Sequence, residues 1–171
     1  MQSLYYTMYM KRFYALQHGG NSPHIGYVIG VLLGDASMFR MRGIYPRTGL
    51  LCETWRIELQ TKDLPFAEAF ALALSKILKR PDSPNRNIKV YHTNPQKKYR
   101  YPYRVLVASH SFGDWWKALK ADPEALRARV LMHPREFLRG IYDSEGNCSG
   151  GKIPRIFNGE VVLLSLIENC L

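Results

Sequence analysis

With 171 residues, 46% of them hydrophobic and 12% aromatic, the chain can bury one good core or two small ones sharing an interface, which excludes a disordered protein. Lys and Arg number 24 against 14 Asp and Glu, a formal net charge of +10 that suits a polyanion-binding surface. The three cysteines, Cys52, Cys148 and Cys170, stand at no metal-ligand spacing, so neither a disulfide framework nor a zinc site is indicated and a reducing intracellular setting fits.

The first twenty residues gather Tyr5, Tyr6, Tyr9, Phe13 and Tyr14 around Lys11-Arg12 and break at Gly19-Gly20, which reads as an N-terminal extension over 1–21. An apolar stretch follows, and the spacing predicts a helix from Pro23 to Asp35, with proline at the first helical position where its missing N–H costs nothing. Gly26, Gly30 and Gly34 fall four apart on one face of it. Each interior glycine costs about 1 kcal/mol, so the stripe calls for another backbone in close contact. The apolar run Ile25 to Leu33 has nine residues, against about 20 for a bilayer span, and the polar Gln17 to His24 stretch before it is a poor setting for a signal-peptide core. A soluble protein of the cytoplasm or an organellar matrix, without a membrane partner, is expected.

The period then changes from helical to alternating. Met38, Arg40 and Arg42 share one face of a first strand; Cys52, Thr54, Arg56, Glu58 and Gln60 share one face of a second, with Leu51, Trp55, Ile57 and Leu59 on the other. The segment Gly43 to Gly49, with Pro46, is the turn between them. An amphipathic helix capped by Asp63 carries Phe66, Phe70, Leu74 and Ile77 at helical spacing. Strands resume over Asn87 to Thr93 and Tyr103 to Ser109, joined by a connection in which Lys97, Lys98 and Arg100 alternate with tyrosines. Two short helices, Phe112 to Lys120 and Pro123 to Met132, lead into a second apolar helix from Pro134 to Glu145 containing Gly140. A short strand pair over Asn147 to Asn158 and a helix from Glu160 to Cys170 complete the chain.

Two of these stretches are copies of one pattern. Gly30-Val31-Leu32-Leu33-Gly34-Asp35-Ala36 returns 110 residues later as Gly140-Ile141-Tyr142-Asp143-Ser144-Glu145-Gly146. A carboxylate in the last turn of a helix faces the negative end of the helix dipole, at a cost of up to about 1 kcal/mol unless a cation neutralises it. The second helix, through Gly140, is the natural partner for the glycine stripe of the first.

The sequence around these copies, Tyr27 to Ala36 and Phe137 to Gly146, resembles the two signature helices of the single-chain LAGLIDADG homing endonucleases. The resemblance implies an α+β fold of two pseudo-symmetric αββαββα-type units, packed through the motif helices, with antiparallel sheets forming a saddle over DNA. The units would span 22–132 and 133–171. Only 26 residues follow Glu145, fewer than a full second unit needs, so the second unit is expected to be abbreviated unless the chain is a fragment. The family's metal-binding acidic positions fall on Asp35 and Glu145, for Mg²⁺ with Mn²⁺ or Ca²⁺ able to substitute in binding. Asp143 matches a second acidic letter that structures the helix end, and Ala36 stands where glycine is usual.

The resemblance further implies a basic or polar group beside each metal, for which Gln60 or Lys62 and, less directly, His110 are the residues in place. It implies a monomer that binds a long double-stranded DNA target and cuts both strands; the same fold can instead serve an intron RNA as a splicing maturase, or bind DNA without cutting it. On the polar sheet face Arg40, Arg42, Arg56, Glu58, Gln60, Lys89 and Tyr91 would read base edges, arginine favouring guanine and glutamine adenine. Lys97, Lys98, Arg100 and Arg104 would neutralise phosphates and set affinity and salt dependence.

Overall fold

Helix α1 (Pro23–Leu33) begins with Pro23 at its first position and is buried all round from Ile25 to Leu32. A helix with no polar face has to lie inside the molecule. It stops at Gly34, whose backbone (φ −99°, ψ −112°) leaves the helical region, so Asp35 sits in the exit turn rather than in the last turn of the expected Pro23 to Asp35 helix. The computed structural model describes residues 22–44, 49, 51–78, 90–92, 102–147, 155–156 and 160–171. The N-terminal reading for 1–21, and the DNA-contact readings for Lys89, Lys97, Lys98 and Arg100, lie outside the described residues.

Strands β1 (Ser37–Ile44) and β2 (Leu51–Thr61) follow as an antiparallel pair. Helix α2 (Leu64–Leu78) starts where the Asp63 side chain accepts from the Phe66 N–H at 3.1 Å, satisfying one of the donors a helix start leaves open. Strands β3 (Val90–His92) and β4 (Tyr103–Ala108) complete a four-stranded antiparallel sheet in the order β1-β2-β4-β3. Helix α3 (His110–Ala121) is capped by Ser109, and α4 (Pro123–Leu131) by Asp122, each accepting from a first-turn N–H. Helix α5 (Pro134–Glu145) runs directly into β5 (Gly146–Asn147), which pairs antiparallel with β6 (Arg155–Ile156); α6 (Val161–Glu168) comes last. The protein is α+β.

One face of the large sheet carries the core. Ile57 and Leu59 of β2 stand beside Val105 and Val107 of β4, and all four are buried. Helix α2, with Phe70 and Leu74, packs against β2 and β4; α1, with Ile29 and Val31, packs on α2, and α5, with Phe137 and Ile141, packs on α1, all within one core. Among the described residues no helix covers the other face of the sheet: Phe39 and Gln60 are exposed there, and Arg56, Arg104 and Leu106 half-buried. Among the described residues no helix is long and apolar enough to cross a membrane.

Candidate functional site

Helices α1 and α5 meet with almost no side chain between them. A Cβ added to Gly30 would lie 2.5 Å from the Phe137 carbonyl oxygen and 2.8 Å from the Ile141 nitrogen; one on Gly26 would lie 2.8 Å from the His133 carbonyl oxygen. From the other side, a Cβ on Gly140 would strike the Tyr27 carbonyl oxygen. Backbone therefore packs on backbone along this crossing. At its far end a Cβ on Gly34 would meet the Ser144 Cβ at 2.5 Å and the Glu145 Cγ at 3.4 Å, so the two acidic ends emerge together.

Asp35 and Glu145 feel each other. Loss of hydration raises the Glu145 carboxyl above the ordinary glutamate range, and the negative charge of Asp35 raises it further. Asp35 is open to solvent on one side, and desolvation where it faces the protein lifts its carboxyl as well. Among the described residues no cation is paired with either of them. Two like charges left close together, both raised, suit the binding of a cation.

Asp143 is engaged differently. Its Oδ2 accepts from the Tyr27 hydroxyl at 2.8 Å, across the helix pair, and lies 3.7 Å from Arg139 Nε one turn earlier on α5. The Arg139 guanidinium in turn sits 5.3 Å from the centre of the Tyr27 ring. Burial, then the bond to Asp143, pushes the Tyr27 phenol well above its usual range, so it stays a donor. This carboxylate fastens α5 to α1.

Asp35 opens onto the uncovered sheet face. Asp35, Ser37, Glu58, Gln60 and Thr61 line one cleft of about 340 Å³. Ser37 stands opposite Glu58, and Gln60 opposite Arg104, so these four share that face; Thr61, opposite Tyr103, belongs by alternation to the side of Leu59 and reaches the cleft from the end of β2. Glu58 is only 8% exposed. Burial opposes its ionisation, but hydrogen bonds from Arg104 and Gln60 and the charges of Arg104 and Arg56 outweigh that and hold its pKa below the ordinary value.

The register separates arginines that the sequence reading grouped. Arg40 lies opposite Trp55 and Arg42 opposite Glu53, which puts both on the side of the sheet that holds Ile57 and Leu59, not on the side of Arg56, Glu58 and Gln60. Near the outer end of the hairpin they bind Glu53: Arg42 Nε donates to Oε1 at 2.5 Å and Arg40 Nη1 lies 3.4 Å from Oε2. Arg40 also stands over the Trp55 ring at 5.2 Å. The single row of base readers expected from Arg40 to Gln60 is thus two rows on opposite faces, because an antiparallel pair puts directly opposed residues on one side. Position 91 of β3 falls opposite Arg104.

Of the accessory residues, Gln60 shares the cleft with Asp35. Lys62 is exposed just past β2, between that strand and α2. His110 opens α3, next to Ser109, whose N–H donates to the Trp55 carbonyl at 2.9 Å. Trp55 is five residues before Gln60 on β2, so the strand rise puts His110 roughly 17 Å further along the sheet than Gln60. His110 is not brought together with the acidic pair. Ser37 and Thr61, which sequence reasoning passed over, do line the cleft; their signal was position alone, each being the strand residue nearest the exit of α1 or the start of α2.

Among the described residues no three His, Cys, Asp or Glu side chains cluster as a metal site. The donor set on offer is a pair of carboxylates, hard oxygen ligands of the kind Mg²⁺ takes one or two at a time while keeping waters and substrate oxygens in its other positions. No family model matches the chain. It is similar to an uncharacterized protein of Methanocaldococcus jannaschii, 28% identical over 150 residues that make up 88% of this chain and 48% of that protein. The chain therefore spans about half the length of that relative.

Proposed function

We propose that this protein is a site-specific double-strand DNA endonuclease of the LAGLIDADG homing type, with divalent metal, Mg²⁺ above all, held by Asp35 and Glu145. The observation that carries the reading is the convergence of Asp35 and Glu145, at the ends of two helices packed backbone to backbone, on the edge of an uncovered antiparallel sheet face. In this reading α1, β1, β2, α2, β3 and β4 form the first pseudo-symmetric unit and α5 opens the second.

Each part of the chain has a task in this chemistry. Asp35 and Glu145 bring two negative charges to one place with no cation among the described residues paired to them, which is what a metal-dependent nuclease needs before it meets its substrate. Asp35 and Glu145 would hold a divalent ion, which would supply there the orientation and acidification of a water for in-line attack and the stabilisation of the leaving oxygen. Gln60, beside Asp35, orients water or a phosphate oxygen through its amide. Arg56 and Arg104 offer cations on the face where the duplex lies, and the +10 net charge draws the polyanion in.

The deciding experiment is a cleavage selection on a randomised duplex library in Mg²⁺, with wild type and Glu145→Gln. Recovery of one long sequence cut on both strands by wild type, and bound but uncut by the variant, is the expected result. No cut product with either protein, together with tight binding of structured RNA, points to the maturase role instead.

A further inference from the structure

Arg104 was grouped by its sequence neighbourhood with the phosphate-binding cations, yet its charge is already answered. Glu58 Oε2 accepts from Arg104 Nη2 at 2.9 Å, and Nε lies 2.9 Å from Oε1, near enough to pair although its N–H is buried and not aligned on that oxygen. Oε1 is also taken by the Gln60 amide, which donates to it at 2.5 Å. Because a carboxylate only accepts, this bond fixes which end of the Gln60 amide faces Glu58. Glu58 is nearly sealed from solvent, whereas the Arg104 side chain remains 36% exposed on the uncovered face.

The pairing uses one edge of the guanidinium and spares the other. Glu58 occupies the Nε and Nη2 edge, which among the described residues leaves Nη1 and the second Nη2 hydrogen as a fork of two parallel donors. A phosphate approaching that fork would also approach the Glu58 carboxylate, and like charges at such range repel. A neutral partner with two adjacent acceptors meets no such penalty. In the major groove guanine alone presents that pair, O6 and N7; adenine and cytosine show a donor and thymine a single acceptor with a methyl group.

We propose that Arg104, oriented by the buried Glu58 and braced by Gln60, reads one guanine in the major groove rather than contacting a phosphate. The assignment rests on the duplex-DNA reading above. Since Arg104 stands opposite Gln60, which shares the cleft with Asp35, the guanine lies among the base pairs next to the scissile phosphates. Glu58 is a positioning residue in this scheme: it touches the arginine, not the base.

The test is a binding selection on a randomised duplex library, with Ca²⁺ in place of Mg²⁺, for wild type, Arg104→Lys, Arg104→Ala and Glu58→Gln, each checked for folding by circular dichroism melting. Wild type should enrich guanine at one fixed position. Arg104→Lys keeps the charge but loses the fork, so guanine discrimination there should fall about 5- to 100-fold while the slope of affinity on salt stays as in wild type. Glu58→Gln should relax preference at that position and at no other. Unchanged base preference for Arg104→Lys and Arg104→Ala, with a shallower salt slope for the alanine variant, makes Arg104 a phosphate contact and overturns this proposal while leaving the endonuclease reading intact. Failure of wild type to retain any duplex overturns both.

Discussion

The Tyr27 hydroxyl donates to Asp143 Oδ2 at 2.8 Å, joining residues 116 apart in sequence across the α1–α5 crossing. Of the two acidic letters near the end of α5, one holds the helices together and the other, Glu145, is left to meet Asp35. Tyr27→Phe removes the donor but not the ring, and a half-buried carboxylate loses its strongest partner. The variant should lose about 1 to 2 kcal/mol of stability in urea unfolding. DNA binding should survive at temperatures where the variant is folded.

Gly30 is under a tighter constraint than any polar residue at this crossing. Its missing Cβ would meet backbone atoms, Phe137 O and Ile141 N, which cannot rotate out of the way as a side chain can. Gly30→Ala must therefore push α5 away from α1, with an expected loss of about 1 to 3 kcal/mol despite the better helix propensity of alanine. Since the same displacement separates Asp35 from Glu145, cleavage should drop further than stability does. Gly49 is a control of another kind: its φ of +65° suits glycine, but a Cβ there would meet nothing within 4 Å. Gly49→Ala should cost only the left-handed backbone strain, about 1 kcal/mol, and leave cleavage in place.

The acidic pair gives a pH dependence with a definite sign. Asp35 and Glu145 both have carboxyl pKa values raised in the folded state. The native protein thus binds more protons than the unfolded chain in the window between the ordinary carboxylate value, about 4, and the raised values, and stability falls as pH rises through that window. Above it, the ionised pair is a constant burden. Glu145→Gln should consequently melt at the same temperature as wild type or higher at pH 7, by less than about 1 kcal/mol because Asp35 is well hydrated on one side, with the difference vanishing below pH about 4. Glu58 acts in the opposite direction: its lowered pKa contributes stability above the ordinary value that is lost as pH falls through the folded one. Glu58→Gln should be less stable than wild type at pH 7, and scanning calorimetry at a series of pH values separates the two cases.

Much of this architecture was legible from residue spacing. Glycines four apart can have only one use in a buried helix, and the alternation of Trp55, Ile57 and Leu59 against Arg56, Glu58 and Gln60 marks the two faces of β2 without ambiguity. The side of β1 was not legible, because its two faces, Met38, Arg40 and Arg42 against Phe39 and Met41, both mix in ways that hydrophobic period cannot rank. Register decided it, and register is set by how the hairpin closes. His110 failed for a related reason: strand direction shows which end of β4 lies near Asp35 only once β2 and β4 are known to be antiparallel neighbours. The end of α1 was misjudged by two residues because Gly34 can serve either as a packing glycine or as a helix stop, and here it does both.

The division of the arginines leads to the last prediction. Arg40 and Arg42 share the one Glu53 carboxylate on the helix-covered side of the sheet, and Arg40 is further occupied by the Trp55 ring, whose Nε1 donates to Asp114 Oδ1 at 2.7 Å. Arg56 lies on the uncovered side with Glu58 and Gln60. If the duplex rests on the uncovered face, Arg56→Ala should weaken DNA binding about tenfold or more at physiological salt, whereas the double variant Arg40→Ala, Arg42→Ala should change it by less than about threefold despite removing twice the charge. Fluorescence anisotropy over a salt series measures both. An equal or larger loss from the double variant would put the nucleic acid across the hairpin end instead, where its outer arginines would have to leave Glu53 to bind.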